Sequence, residues 1–219
     1  MQNTKKTHQY ILGLSCFYHD SSACILLNGK ILASASEERF SRKKHDDGFP
    51  LHSIEYCLKK ANIDINQIDA IAFYEKPIVK FERILKEFIV SWPRNVSQFY
   101  RFMPQWLGQK LFMGNTIHNE LKQYCKKNYD KAYKLKTIRT YYIPHHLSHA
   151  SSSYFTSPFE EAAVVTIDGV GENTTTAIYK CIANEINPVQ HITYPDSLGL
   201  LYSAFTYYTG FKVNSGEYK

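Results

Sequence analysis

Two histidines four residues apart, His145 and His149, precede an apolar run that ends in Asp168-Gly-Val-Gly-Glu172. On a helix, positions i and i+4 lie on one face a turn apart, so both imidazoles can reach a single metal ion. The spacing alone equally fits two surface or half-buried histidines. A third histidine, His146, is adjacent, and the small residues Ala150 to Ser153 follow. Two imidazoles do not close a metal site, so a third ligand, expected to be a carboxylate, has to come from elsewhere. In the acidic loop, Gly169 and Gly171 allow backbone amides to approach an anion, while Asp168 and Glu172 suit a metal held beside a phosphate. The plainer alternative is an acidic hairpin loop.

Two further constellations lie near the start of the chain. His19-Asp20 interrupts an apolar hairpin, where a histidine can act as general acid or base or face a developing negative charge. Glu37-Glu-Arg-Phe-Ser-Arg-Lys-Lys-His-Asp46 is dense in charge of both signs. It reads either as a solvated loop or as the cationic mouth of a cleft for an anionic donor.

The elements that would position these residues follow from the apolar pattern. Tyr10–Phe17, Ala23–Leu27 and Lys30–Ala35 read as strands, with Asn28-Gly29 as the hairpin turn. A helix is expected over 51–61 and a strand over 68–74. Residues 78–128 read as an inserted helical layer broken near Pro93 and Pro104. Strand character returns from Ile138, and Pro144 marks a helix start at the histidines. Glu161–Ile167, Thr174–Ile182 and Val189–Tyr194 read as strands, the last two joined by a turn at Asn184–Asn187, and Ser197–Thr209 as a helix. The pattern of strand, polar loop, strand, turn, strand therefore occurs twice, around Tyr18–Ser22 and around Asp168–Asn173. Two such units describe an α/β fold of the duplicated, ribonuclease-H-like or actin-like kind, whose hairpin loops grip phosphate. On this reading residues 1–160 form a first lobe with the helical insertion, and 161–219 begin a second lobe that is incomplete.

Composition narrows the class. Of 219 residues, 44% are hydrophobic and 21% charged, the balance of a globular chain rather than a disordered one. The net charge of +6 is concentrated in two short stretches, around Arg39–Lys44 and from Lys122 to Lys136. No Cys/His finger or other recognition motif accompanies it, so a nucleic-acid partner is not expected. Five scattered cysteines without a CxxC pair, and an apolar run at 10–17 too short to span a bilayer, point to a cytoplasmic setting with no membrane partner.

Five stretches in this order resemble the O-carbamoyltransferases that modify nodulation factors, cephamycin-type antibiotics and aminoglycosides. They are Gly13–Cys24, Glu37–Asp46, His145–Ala150, Asp168–Glu172 and Gly216–Lys219. The resemblance implies a fold related to the threonylcarbamoyl-adenosine synthases. It implies formation of carbamoyl-adenylate from carbamoyl phosphate and ATP, then transfer of the carbamoyl group to a hydroxyl of a small-molecule acceptor. It implies that His145 and His149 ligate a divalent metal, iron before others, and that His19 sits at the transferring carbamoyl group. Asp168, Gly169, Gly171 and Glu172 would form a nucleotide-phosphate loop, and Lys44 would bind the donor. Members of that family are more than twice as long. The chain is therefore expected to be inactive alone and to need a downstream polypeptide. A non-catalytic remnant is the main alternative, and a threonylcarbamoyl-adenosine-synthase-like or actin-fold kinase relative a weaker one.

Overall fold

The computed structural model describes residues 8–129 and 133–216. The chain opens with strands β1 (Tyr10–Ser15), β2 (Ser22–Leu27) and β3 (Lys30–Ser36), followed by helices α1 (Glu38–Ser41) and α2 (Leu51–Ala61) and strand β4 (Ala70–Phe73). Helices α3 (Pro77–Val90), α4 (Val96–Gln105) and α5 (Met113–Asn128) come next, then β5 (Arg139–Tyr142) and α6 (His145–Tyr154). Strands β6 (Glu161–Ile167), β7 (Thr174–Ile182) and β8 (Glu185–Thr193) and helix α7 (Leu198–Tyr208) complete the order. Packing gathers these into two units, residues 1–74 with 105–142, and 75–104 with 143–219.

In the first unit, five strands lie in the order β3-β2-β1-β4-β5. The β1–β2–β3 meander is antiparallel, whereas β4 joins β1 and β5 joins β4 in parallel. Asn28 and Gly29 both take positive φ (50° and 83°), the backbone a tight hairpin needs. The core places the β1–β2 pair Leu12 and Ile25 against Ile54 and Leu58 of α2 and Ile117 and Leu121 of α5. Glu37 holds the start of α2. It is buried, and its two carboxylate oxygens accept from His52 N, His52 Nδ1, Ser53 N and Ser53 Oγ at 2.6–3.1 Å. A negative charge there satisfies orphan amides and complements the helix dipole.

In the second unit, β6, β7 and β8 form an antiparallel meander with β6 and β8 at its edges. Helix α6 covers one face, with Ala150 and Tyr154 packed on Ala177, Tyr179 and Cys181. The meander of the first unit is thus repeated, which is the duplication expected of the ribonuclease-H-like α/β class.

Most element boundaries fall within two residues of expectation. Strand β8 is an exception: it starts at Glu185, and the turn before it is Ala183-Asn184, with Ala183 in the left-handed region (φ 51°). The α-helical winding ends beside Pro104, as expected. The proline lies one residue from the end of α4, and the chain passes directly into a π-helical turn at Trp106–Lys110, whose wider winding is a common neighbour of helix irregularity. Of the Gly216–Lys219 motif, only Gly216 lies within the described residues.

Candidate metal centre

Helix α6 carries two adjacent stripes. His146, Ala150 and Tyr154 face the core, and His145 and His149 lie beside them. The sheet side fixes His146 completely: Nδ1 lies 2.7 Å from the Thr166 hydroxyl, and Nε2 lies 2.8 Å from the Thr174 carbonyl. The carbonyl can only accept, so Nε2 carries the proton and Nδ1 accepts from Thr166. Burial, the largest influence, pushes the His146 imidazole below its ordinary range and keeps it neutral. Both nitrogens are spent inside the protein. His146 is a structural residue, not a candidate ligand.

His145 and His149 converge on Asp168 at the end of β6. His145 Nε2 is 2.8 Å from Asp168 Oδ2 and 3.0 Å from His149 Nε2, and His149 Nε2 is 3.8 Å from the same carboxylate oxygen. All three ligand atoms fall within 4.8 Å of one another. A first-row divalent ion about 2.1 Å from each donor places cis donors about 3.0 Å apart in an octahedron and about 3.4 Å apart in a tetrahedron. The observed separations straddle these values, so the residues fit a metal. Two imidazoles and one carboxylate on one side of an ion leave further positions open, a donor set that suits non-haem iron, zinc or manganese. The hydrogen bond from His145 holds the Asp168 carboxyl down at about 2, against the opposing effect of burial and with help from the Gly169 amide. Burial lowers His149, and His145 beside it lowers it further. Ionised carboxylate and neutral imidazole are the forms a metal binds.

The loop after β6 supports this cluster more than it opens to solvent. Glu172 is buried. Its carboxylate accepts from His145 N at 2.9 and 3.1 Å and from Lys76 N at 2.8 Å, which anchors the first turns of α6 and α3. Arg83 Nε donates to the Glu172 carbonyl at 2.6 Å. The Gly171 amide donates to Thr174, and the Gly169 amide to the Asp168 carboxylate at 2.6 Å. Gly171 is required by space, because a Cβ there would stand 3.1 Å from the Cβ and Cδ2 of His145. Gly199 in α7 is required more strictly, since a Cβ would stand 2.5 Å from the Asp168 carbonyl oxygen. Ser197 caps α7 and donates to the Gly169 carbonyl at 2.6 Å, so the loop rests on the start of α7.

Of the expected site residues, His145, His149 and Asp168 come together. The resemblance puts Asp168 in a nucleotide-phosphate loop and leaves the third metal ligand outside this chain; in the structure the Asp168 carboxylate stands beside both imidazoles, where it could serve as a third ligand. Glu172, Gly169 and Gly171 surround the cluster. His19 and Lys44 belong to the first unit. There His19 is more than half exposed, and its Nδ1 lies 2.8 Å from Asp20 Oδ2. His45 Nδ1 approaches the other oxygen of the same carboxylate at 3.1 Å. Burial works to raise Asp20, but the two histidine hydrogen bonds outweigh it and hold the carboxyl below its ordinary value. This loop is tied to residues 46–48 by Phe17 N to Asp47 O, Ser21 N to Asp46 O and Ser21 Oγ to Gly48 O. The two N-terminal motifs therefore form one surface, with Lys44 exposed in the turn beside His45.

The class that fold and site define is an α/β chain with a repeated meander and a two-histidine, one-carboxylate cluster that could hold a metal ion. Residues 10–219 match the carbamoyltransferase N-terminus family, and the chain belongs to it. It is 47% identical over 216 residues to the uncharacterized protein sll1178 of Synechocystis sp., covering 96% of this chain and 33% of that protein. It is 32% identical over 218 residues to nodulation protein NolNO of Sinorhizobium fredii, covering 98% of this chain and 29% of that one. The chain thus spans about a third of the length of the curated relatives it matches. YeaZ from Pseudomonas aeruginosa overlays 85% of this chain and 68% of its own at 16% identity, with a TM-score of 0.44. Among the described residues, no helix is long and apolar enough to cross a membrane.

Proposed function

We propose that this chain is the metal-bearing, carbamoyl-facing portion of an O-carbamoyltransferase, active when joined by the polypeptide that makes up the rest of its longer relatives. The observation that carries the reading is the convergence of His145, His149 and Asp168 within a chain of this family. A divalent ion, iron before zinc or manganese, would be held by these three residues and would supply a Lewis-acidic anchor for phosphate oxygens. Carbamoyl phosphate, ATP and one water would yield carbamoyl-adenylate, phosphate and pyrophosphate. In the second step the acceptor hydroxyl oxygen bonds to the carbamoyl carbon, and the bond from that carbon to the AMP oxygen breaks.

The proposal gives this chain's residues the following roles. Asp20 accepts at His19 Nδ1, which leaves Nε2 as the basic nitrogen that takes the acceptor's hydroxyl proton. Lys44 supplies an exposed cation for the donor phosphate on the same surface. Glu172 and Gly171 fix the His145 ring for its ligand role. The acceptor is a small molecule bearing a hydroxyl, and the reaction takes place in the cytoplasm.

The test is exchange of labelled pyrophosphate into ATP, which reads the first step without knowledge of the acceptor. The full chain, loaded with iron and combined with the remaining two thirds of the Synechocystis relative, is expected to catalyse exchange only when carbamoyl phosphate is present. Carbamoyl-phosphate-independent exchange, or none from a soluble, metal-loaded pair, contradicts the proposal.

A further inference from the structure

One side of the first unit carries aromatic rings and cations that the metal centre does not use. β3 is an edge strand of its sheet, and α1 and α2 stand beside it. Ser34, Ala35 and Ser36 of β3, Arg39 and Phe40 of α1 and Tyr56 of α2 line a groove of about 460 Å³. That volume lies within the range of small-molecule sites, about 300–1,000 Å³. Its walls are fixed from inside the protein. Glu37 is buried between them: its carboxylate holds the start of α2, and its carbonyl accepts from Phe40 N and Ser41 N at 2.9 Å. Arg42 closes α1 in the left-handed region (φ 59°), its amide donating to the Glu38 carbonyl. The groove is therefore shaped before any ligand arrives, which lowers the ordering cost of binding.

One wall is aromatic, and the charge around it is positive. Phe40 stacks on His52, with ring centres 6.4 Å apart, and meets Tyr56 at 5.7 Å. Phe40 and Tyr56 are 39% and 37% exposed, so part of each ring stays open to a ligand. Lys60 Nζ stands 5.9 Å from the centre of the Tyr56 ring. The nearby carboxylates are engaged elsewhere: Glu37 with His52 and Ser53, and Glu55 with Lys59 at 2.5 Å. Glu38 does not line the groove. Among the described residues, the Arg39 side chain makes no hydrogen bond or ion pair, and neither does the hydroxyl of Ser36. An unpaired guanidinium offers a fork of donors to an oxyanion, and open aromatic rings offer stacking to another ring.

We propose that this groove is a binding site for a small molecule that carries an oxyanion on a flat ring. Arg39 and the Ser36 hydroxyl hold the oxyanion, and the ring lies on Phe40 and Tyr56. Carboxylate and phosphate share this chemistry, since either accepts two parallel N–H bonds from one guanidinium. An anion without a ring gains only the arginine, and a neutral ring gains only the aromatic wall. The site selects for the two together. All its residues belong to the first unit, so the inference does not rest on the preceding reading of the metal centre.

The experiment titrates the full chain, without added metal, with phenyl phosphate, benzoate, inorganic phosphate and phenol, and follows the amide NMR signals. Phenyl phosphate, benzoate or both should shift Ser34, Ser36, Phe40 and Tyr56 and saturate, the tighter of the two identifying the anion the site prefers. Inorganic phosphate and phenol should bind about tenfold or more weakly than the better ring-bearing anion. Arg39→Gln should weaken the ring-bearing anions about tenfold and leave phenol unchanged. Tyr56→Leu should weaken ring-bearing anions and phenol alike, about fivefold. If Arg39→Gln disturbs signals beyond the groove, Arg39→Lys decides in its place: it keeps the charge but loses the fork, and should cost about threefold or more. The absence of a saturable shift in the groove overturns the proposal. Shifts centred on the second unit overturn it too, as does inorganic phosphate that binds as tightly as phenyl phosphate. Affinity unchanged in the arginine variant does the same.

Discussion

The loop after β1 and the loop after β6 occupy the same place in two copies of one meander, yet they spend their polar groups differently. In the first, His19 and His45 share the half-exposed carboxylate of Asp20, and the loop is tied to residues 46–48 by two backbone bonds and the Ser21 hydroxyl. In the second, Glu172 is buried against two helix starts, and Asp168 is locked to His145. Repeated topology places a loop. The side chains that reach it decide whether it becomes a rigid ligand cradle or a surface for a substrate.

The largest effects should come from the two buried carboxylates, which make the units alike. Glu172→Ala strands the amides of Lys76 and His145, and Glu37→Ala strands those of His52 and Ser53. Charge-assisted bonds of this kind contribute about 1.5–3 kcal/mol each when broken one-sidedly, so each variant should lose about 3 kcal/mol in urea unfolding. A loss in only one of them would break the parallel between the units. Gly171→Ala sharpens the contrast instead. Its methyl group presses on His145, so metal affinity should fall about tenfold while stability falls by about 1 kcal/mol. Titration with Fe(II) beside a melting curve separates the two readouts.

A smaller effect belongs to pH. The Asp168 carboxyl sits at about 2 in the fold, below its ordinary 3.8, chiefly through the hydrogen bond from His145. A depressed carboxyl stabilises above its unfolded value and loses that contribution as pH falls, so the apo chain should weaken between about pH 4 and pH 2. Asp168→Asn should flatten that part of the stability curve. The smallest effect is expected at His45→Ala. This exposed pair should shift stability by no more than about 0.5 kcal/mol, leaving metal uptake unchanged.

Local signals were readable in the sequence. Asn28-Gly29 announces its turn, the apolar spacing of Ile54 and Leu58 announces α2, and the spacing of His145 and His149 places them on one helical face. What escaped was contact at a distance. Asp168 looks like a phosphate-loop carboxylate because nothing in its neighbourhood points 23 residues back to His145. Glu37 and Glu172 look like members of charged loops, although each caps a helix remote in sequence or out of register with a capping box. His146 resembles a ligand until Thr166 and Thr174 take both its nitrogens. Gly199 carried a weak signal, a glycine two residues after a capping serine at the head of an apolar helix, but its need arises from the backbone of Asp168.

On the proposed function, His145, His149 and Asp168 of the second unit hold the metal without a ligand from outside this chain. Anaerobic loading of the full chain with Fe(II), removal of excess and iron counting in the unaltered protein, His149→Ala and His19→Ala test it directly. About one iron per chain is expected in the unaltered protein and in His19→Ala, with His149→Ala largely empty. Equal iron in all three, or loss only in His19→Ala, would contradict it.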